Sequence, residues 1–257
     1  MPDYSLIDRP ELLVYVFYPR EDKSPCPRYA FDIPVPVDEN VAVVCRFFQG
    51  NEQWPWILYF HGNGEIVSDY DELAPFFFKR NLNLAVADYR GYGTSGGEPT
   101  FAHIVSDARD IFERVLAELT SRGLKDDLWV MGRSLGSIAA IELAYHNMGR
   151  IRGIIIESGF ISVVRVMRHL DVPVDDASYA TIDRQCLEMV QAVKVPALVI
   201  HGENDTIVPY SEGLDLYENL GSSPKEFLTI PAADHNDIMF VGLKQYFEAI
   251  AGFVQGG

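Results

Sequence analysis

The chain has 257 residues, and 48% of them are apolar against 23% charged, which is the composition of a globular protein and excludes wholesale disorder. Lys and Arg number 21 against 37 Asp and Glu, a formal net charge of −16, so phosphate backbones and anionic lipid headgroups are repelled and nucleic acid is excluded as a partner. Three widely spaced cysteines, Cys26, Cys45 and Cys186, form no CxxC pair, which fits a reducing compartment and offers no metal site. No run approaches the ~18 apolar residues of a transmembrane helix, and the run Leu12–Tyr18 is preceded by Asp3, Asp8 and Glu11 rather than by the basic segment of a signal peptide, so a cytoplasmic location is expected.

Short β-branched and aromatic runs alternate with longer helical patterns. Strands are expected at Leu12–Phe17, Val41–Phe48, Trp56–Phe60, Leu82–Ala87, Leu128–Met131, Gly153–Ile156, Ala197–His201 and Glu226–Ile230. Several are apolar throughout, as in strands covered on both faces. Helical spacing links Ile104, Ala108, Ile111, Val115 and Leu119, and again Phe240, Leu243, Phe247, Ile250 and Val254. This order predicts an α/β fold with a mostly parallel sheet of about eight strands, helices on both faces, and an antiparallel edge made by the first two strands. Residues 161–193 are too long for a simple crossover. They hold an amphipathic piece (Val163–Leu170), a turn (Asp171–Asp176) and a second helical piece, and are expected to form a small cap within a single domain.

Gly132-Arg133-Ser134-Leu135-Gly136 matches G-x-S-x-G, a pattern expected by chance roughly 0.1 times in such a chain. A second match, Gly93–Gly97, centres on Ser95. Context separates them. Ser134 follows a strand directly and opens a helical run, whereas Ser95 is followed by Gly-Gly-Glu-Pro, a loop with nothing to hold it. A strand-turn-helix thrusts the serine hydroxyl out above the sheet, so Ser134 is the expected nucleophile. A helix N-cap serine fits the same position without needing both glycines. Gly91–Gly96 also reads formally as G-x-G-x-x-G, but it leads into a Pro-containing loop rather than a helix, which argues against a dinucleotide site.

A serine hydroxyl needs a base, and the base an orienting acid. Of the downstream histidines, His146 falls at the end of the elbow helix, His169 in the expected cap, and His201 at the end of an apolar strand, where it satisfies a backbone carbonyl. His235, in a loop between the last strand and last helix, is the candidate base. Asp205, in the loop leaving Ala197–His201, is the candidate acid, with Glu157 as the alternative. Glu203 is too near its strand, and Asp234 adjoins the base. Two N–H donors are needed for the developing oxyanion: the backbone of Leu135 and, from the glycine-rich turn His61-Gly62-Asn63-Gly64, the backbone of Asn63.

With those residues in place, the chain resembles α/β-hydrolase-fold serine hydrolases, and more narrowly the single-domain branch that includes protein-depalmitoylating thioesterases and many bacterial hydrolases. The likeness is carried, over residues 40–255, by His61–Gly64, Asp88-Tyr89-Arg90-Gly91-Tyr92-Gly93-x-Ser95-Gly96-Gly97, Gly132–Ser137, Glu157-Ser158, His201-Gly202-x-x-Asp205-x-x-Val208-Pro209 and His235-Asn236-Asp237, in the family's order. Two features depart from it: Ala233-Asp234 stands where glycines often precede the histidine, and the cap is slightly longer than in the smallest members. The resemblance implies a cofactor-independent Ser-His-Asp hydrolysis of an ester or thioester. The apolar cap residues Val163, Val166, Met167, Leu170, Val172 and Val174 point to a small-molecule substrate with a short to medium acyl chain. The rival readings are a peptidase and a non-catalytic ligand receptor on the same fold. The sequence carries no signal for an oligomeric state.

Overall fold

The computed structural model describes residues 1–256. Its strands are β1 (Ala30–Asp38), β2 (Val41–Phe48), β3 (Trp56–Phe60), β4 (Asn83–Ala87), β5 (Leu128–Arg133), β6 (Ile154–Glu157), β7 (Ala197–Gly202) and β8 (Lys225–Ile230), joined in one sheet in the order β1-β2-β4-β3-β5-β6-β7-β8. Strand β2 runs antiparallel to both neighbours, and the remaining pairs are parallel. The helices are α1 (Pro10–Val16), α2 (Ala74–Phe78), α3 (Phe101–Ser121), α4 (Ser137–His146), α5 (Val163–His169), α6 (Asp176–Ala192), α7 (Tyr210–Asn219), α8 (Ile238–Val241) and α9 (Leu243–Gly256). Among the described residues no helix is long and apolar enough to cross a membrane.

Strand residues point alternately to two cores. Trp56, Leu58 and Phe60 of β3 join the cluster on the face of α3, α4 and α6, while Ile57 and Tyr59 join the cluster beneath α2 and α9. Every residue of β3, β4, β5, β6 and β7 is therefore buried, which is why these strands read as unbroken apolar runs. The predicted stripe of α3, Ile104 to Leu119, is buried along its length.

Three expectations need correction. Leu12–Phe17 is not a strand: Pro10 presets the first turn of α1 and Glu11 lies in that turn, where a carboxylate favours the helix N-terminus. A short apolar run has no period long enough to separate the two structures. The first strand is instead β1, which carries Pro34 and Pro36 and was not among the expected strands. Prolines are tolerated there because β1 is the sheet's edge and has a partner on one side only, and Ile33 and Val35 between them are buried. Lastly, Phe240 and Leu243 do not share the buried face of Phe247, Ile250 and Val254. The helix breaks at Gly242, where a side chain would lie 2.6 Å from Ile230 Cγ2, and Phe240 is left 82% exposed.

On α4, buried Glu142 has no hydrogen-bond partner for either carboxyl oxygen among the described residues. Its nearest positive groups are the Arg109 guanidinium at 3.7 Å and, when protonated, His146 at 3.5 Å. Burial outweighs the pull of Arg109 and pushes its carboxyl up to about 7. The folded chain thus holds a proton that the unfolded chain has released between the ordinary glutamate value and about 7, so stability falls as pH rises through that window. Glu142→Gln keeps the neutral form at every pH. In urea titrations it should be more stable than wild type at pH 8 by about 3 kcal/mol and indistinguishable near pH 4. An equal effect at both pH values would contradict this assignment.

Candidate active site

The strand β5 ends in Arg133, and the chain turns sharply into α4 through Ser134, which adopts φ of +51°. A non-glycine residue there is strained, and such strain is found at turns that present a functional side chain. The flanking glycines are sterically required. A side chain on Gly132 would lie 2.3 Å from the Gly136 carbonyl oxygen, and one on Gly136 would lie 2.1 Å from that of Phe60. An N-capping serine needs neither, so the two glycines report the tight turn itself.

Ser134 is met by the two loops the sequence singled out. His235, after β8, puts Nε2 3.0 Å from Ser134 Oγ, and its Nδ1 lies 2.7 Å from Asp205 Oδ2 in the loop after β7. All three side chains are buried. Because the Asp205 carboxylate only accepts, Nδ1 carries the proton and the Nε2 lone pair faces the serine hydroxyl. The other Asp205 oxygen accepts from the N–H groups of Ile207 (3.0 Å) and Val208 (2.8 Å). Burial pushes the Asp205 carboxyl up, but His235 and the Val208 N–H outweigh it and hold it below its ordinary value. Such a chain can draw the proton from Ser134 Oγ while Asp205 fixes the imidazole.

The competing residues are occupied elsewhere. Ser95 Oγ accepts from the Val44 N–H at 2.9 Å, tying its turn to β2. His201 donates through Nε2 to the Val208 carbonyl (2.9 Å), His169 Nε2 to that of Thr206 (3.1 Å), and His61 Nδ1 to that of Gly62 (2.8 Å). Asp234 turns from the imidazole to accept the His235 N–H (2.7 Å) and the Thr206 N–H (3.1 Å), and these bonds hold its carboxyl low. Glu203 accepts from the Ala232 N–H.

Glu157, the alternative acid, has another task, and it exposes a residue the sequence reading passed over. Arg133, the variable position before the serine, is buried. It donates through Nε to Glu157 Oε1 (3.0 Å), through Nη1 to Glu65, and through Nη2 to the His235 carbonyl (2.7 Å). Glu65 accepts in turn from the Gly62 N–H and from Tyr70, each at 2.8 Å, and Glu157 from Tyr246 (2.6 Å) and Tyr59 (3.1 Å). One guanidinium therefore links the nucleophile turn, the histidine loop and the turn carrying Asn63. Burial pushes both carboxyls up. Arg133 and the Gly62 N–H bring Glu65 below its ordinary value, while Glu157, deeper in the same cluster, stays above it.

The backbone N–H groups of Asn63 and Leu135, the two expected oxyanion donors, make no hydrogen bond to another described residue. Both residues line a cavity of about 360 Å³ that opens on Ser134 and His235. Its walls are mainly apolar: Tyr15, Val16 and Tyr18 from α1 and its exit, and Val163, Val166, Met167, Leu170 and Val172 from α5 and the turn after it. Five of the six apolar residues expected from 161–193 thus face the serine. Val174 does not line the cavity. Among the described residues no group of three or more His, Cys, Asp and Glu side chains is placed to hold a metal ion.

Fold and site together define an α/β-hydrolase-fold serine hydrolase. The family described as serine aminopeptidase, S33 (Hydrolase_4), matches residues 53–173 and 177–239, and the chain belongs to it. It is 31% identical to protein bem46 of Schizosaccharomyces pombe over 79% of this chain and 68% of that one. With human α/β hydrolase domain-containing protein 17B it shares 28% identity over 82% and 70%. The likeness to the solved Pyrococcus furiosus esterase Pf2001 is one of fold: a TM-score of 0.73 at 17% identity, covering 93% of this chain and 99% of that one.

Removing the Arg133 charge strands the buried Glu157 carboxylate and the half-buried Glu65. Arg133→Met should lower unfolding free energy by about 3–5 kcal/mol in urea, against about 1–2 kcal/mol for Tyr246→Phe, which deletes one hydrogen bond to Glu157. Equal losses for the two variants would show that the guanidinium is not the keystone of the cluster.

Proposed function

We propose that the protein cleaves carboxylic ester or thioester bonds of small to medium, uncharged acyl groups through an acyl-enzyme on Ser134. The observation that carries this reading is His235, held between Ser134 Oγ at 3.0 Å and Asp205 Oδ2 at 2.7 Å at the floor of an apolar cavity. Ser134 Oγ attacks the carbonyl carbon as His235 Nε2 takes its proton. The N–H groups of Leu135 and Asn63 receive the oxyanion. The imidazolium, steadied by Asp205, returns the proton to the departing alcohol or thiol. Water then enters, His235 deprotonates it, and the acid leaves with Ser134 restored.

The lining supports an ester over a peptide substrate. An aminopeptidase has to bind a free ammonium group, and no Asp or Glu side chain lines this cavity. Its one charged side chain is Arg133, whose guanidinium is consumed by Glu65, Glu157 and the His235 carbonyl, so an anionic acyl group finds no free counter-charge either. The segment between β6 and β7 acts in this account as a small cap over the acyl group. Three free cysteines support work in a reducing compartment, the cytoplasm.

The test is hydrolysis of p-nitrophenyl butyrate by wild type and by Ser134→Ala. Turnover should fall by about 10⁴-fold or more in the variant. Activity that survives the substitution would move the nucleophile elsewhere. A wild type inert toward every ester would remove the ester reading in favour of a peptidase or a ligand receptor.

A further inference from the structure

The residues before the sheet build one wall of the cavity and are tied to the turn that carries Asn63. Asp8 accepts from the Phe101 and Ala102 N–H groups at 2.7 and 2.9 Å, fixing the entry to α1 against the start of α3. Leu12 and Phe17 are buried, the latter with its ring 5.2 Å from that of Phe101. At the exit of α1 the Asn63 side chain grips the backbone from two sides. Its Nδ2 donates to the Val16 carbonyl, while its Oδ1 accepts from the Tyr18 N–H (3.1 Å) and from Tyr92 Oη (2.7 Å). Arg20 Nε then donates to the Gly64 carbonyl at 2.7 Å. The anchored segment leaves two rings at the cavity mouth, Tyr15 and Tyr18, which are 57% and 60% exposed yet line the cavity.

We infer that Tyr15 and Tyr18 determine the acyl-chain length this protein accepts, and that the Asn63 side chain is a positioning residue that locks the oxyanion turn to the wall they form. The inference rests on the ester-hydrolase reading above and goes beyond it. The family match begins at residue 53, so the wall is built from residues outside it. An amide at position 63 is suited to the lock because it supplies both a donor for Val16 and an acceptor for Tyr18 and Tyr92. The backbone N–H of the same residue remains free for the oxyanion. A displaced wall therefore displaces that N–H, and a change in either is felt as slower acyl transfer.

The experiment is kcat and KM for p-nitrophenyl esters from butyrate to dodecanoate, with wild type, Tyr15→Ala, Tyr18→Ala and Asn63→Ala. Both tyrosines are more than half exposed, so their truncation leaves the core intact. Each tyrosine variant should raise the decanoate-to-butyrate ratio of kcat/KM by about tenfold, the scale of one methylene in an apolar pocket. Asn63→Ala, which keeps the backbone N–H, should lower kcat by about tenfold at every chain length with a smaller change in KM. Asn63→Asp retains the acceptor but sets a carboxylate against the Val16 carbonyl, and should not rescue. Unchanged length profiles in both tyrosine variants, or an undiminished kcat in Asn63→Ala, would overturn the inference while leaving the hydrolase reading in place. No hydrolysis of any ester by wild type would overturn both.

Discussion

The constraint on which the site depends is the burial of a single guanidinium between two carboxylates. Arg133 stands beside the nucleophile in the chain, yet its three sets of partners lie at the ends of β3, β6 and β8. Buried charges are stable only when paired and fully hydrogen-bonded, so the loops supplying those partners are held in one arrangement. Ser134, His235 and the turn carrying Asn63 are thereby set relative to one another by the Arg133 side chain. Three tyrosines complete the cluster by donating to the two glutamates, so that no carboxyl oxygen in it is stranded.

Backbone strain supplies the second half of the arrangement. Ser134 holds a left-handed conformation in which its hydroxyl rises above the sheet, and the turn closes because neither flanking residue has a side chain. Packing on both faces of the sheet makes this possible: β5 and α4 are buried almost throughout, so the turn between them has no other conformation to relax into. Ser134, Asp205 and His235 meet at the carboxyl edge of the strands, where ligands of open α/β sheets are received. The charged side chain in the cavity walls is Arg133, and its guanidinium is engaged by Glu65, Glu157 and the His235 carbonyl, so the remaining lining is mainly apolar.

How much of this was legible beforehand follows from the range of each interaction. Ser134 was visible because its requirements are local: two glycines, a strand before and a helical run after. That Asp205 and His235 lie beside Ser134 was legible from chain order and loop position, which left few rivals, while Glu157, the alternative acid, is engaged by Arg133 and two tyrosines. Arg133 itself was invisible, since its partners lie 68, 24 and 102 residues away in sequence. The same holds for Asn63, whose backbone was singled out for the oxyanion while its side chain serves α1. Local misreadings had local causes. Leu12–Phe17 is too short to show a helical period, and β1, absent from the expected strands, carries two prolines that an edge strand accommodates. The break at Gly242 interrupted a stripe that was regular on paper.

The most direct test of the central claim, that Ser134 is the activated nucleophile of this site, is intact-mass and peptide mapping of the protein after reaction with a fluorophosphonate. One adduct per chain, on Ser134, abolished by His235→Ala and strongly slowed in Arg133→Met, is the predicted result. An adduct on Ser95 or another serine, or labelling of Ser134 that is indifferent to His235, would contradict it.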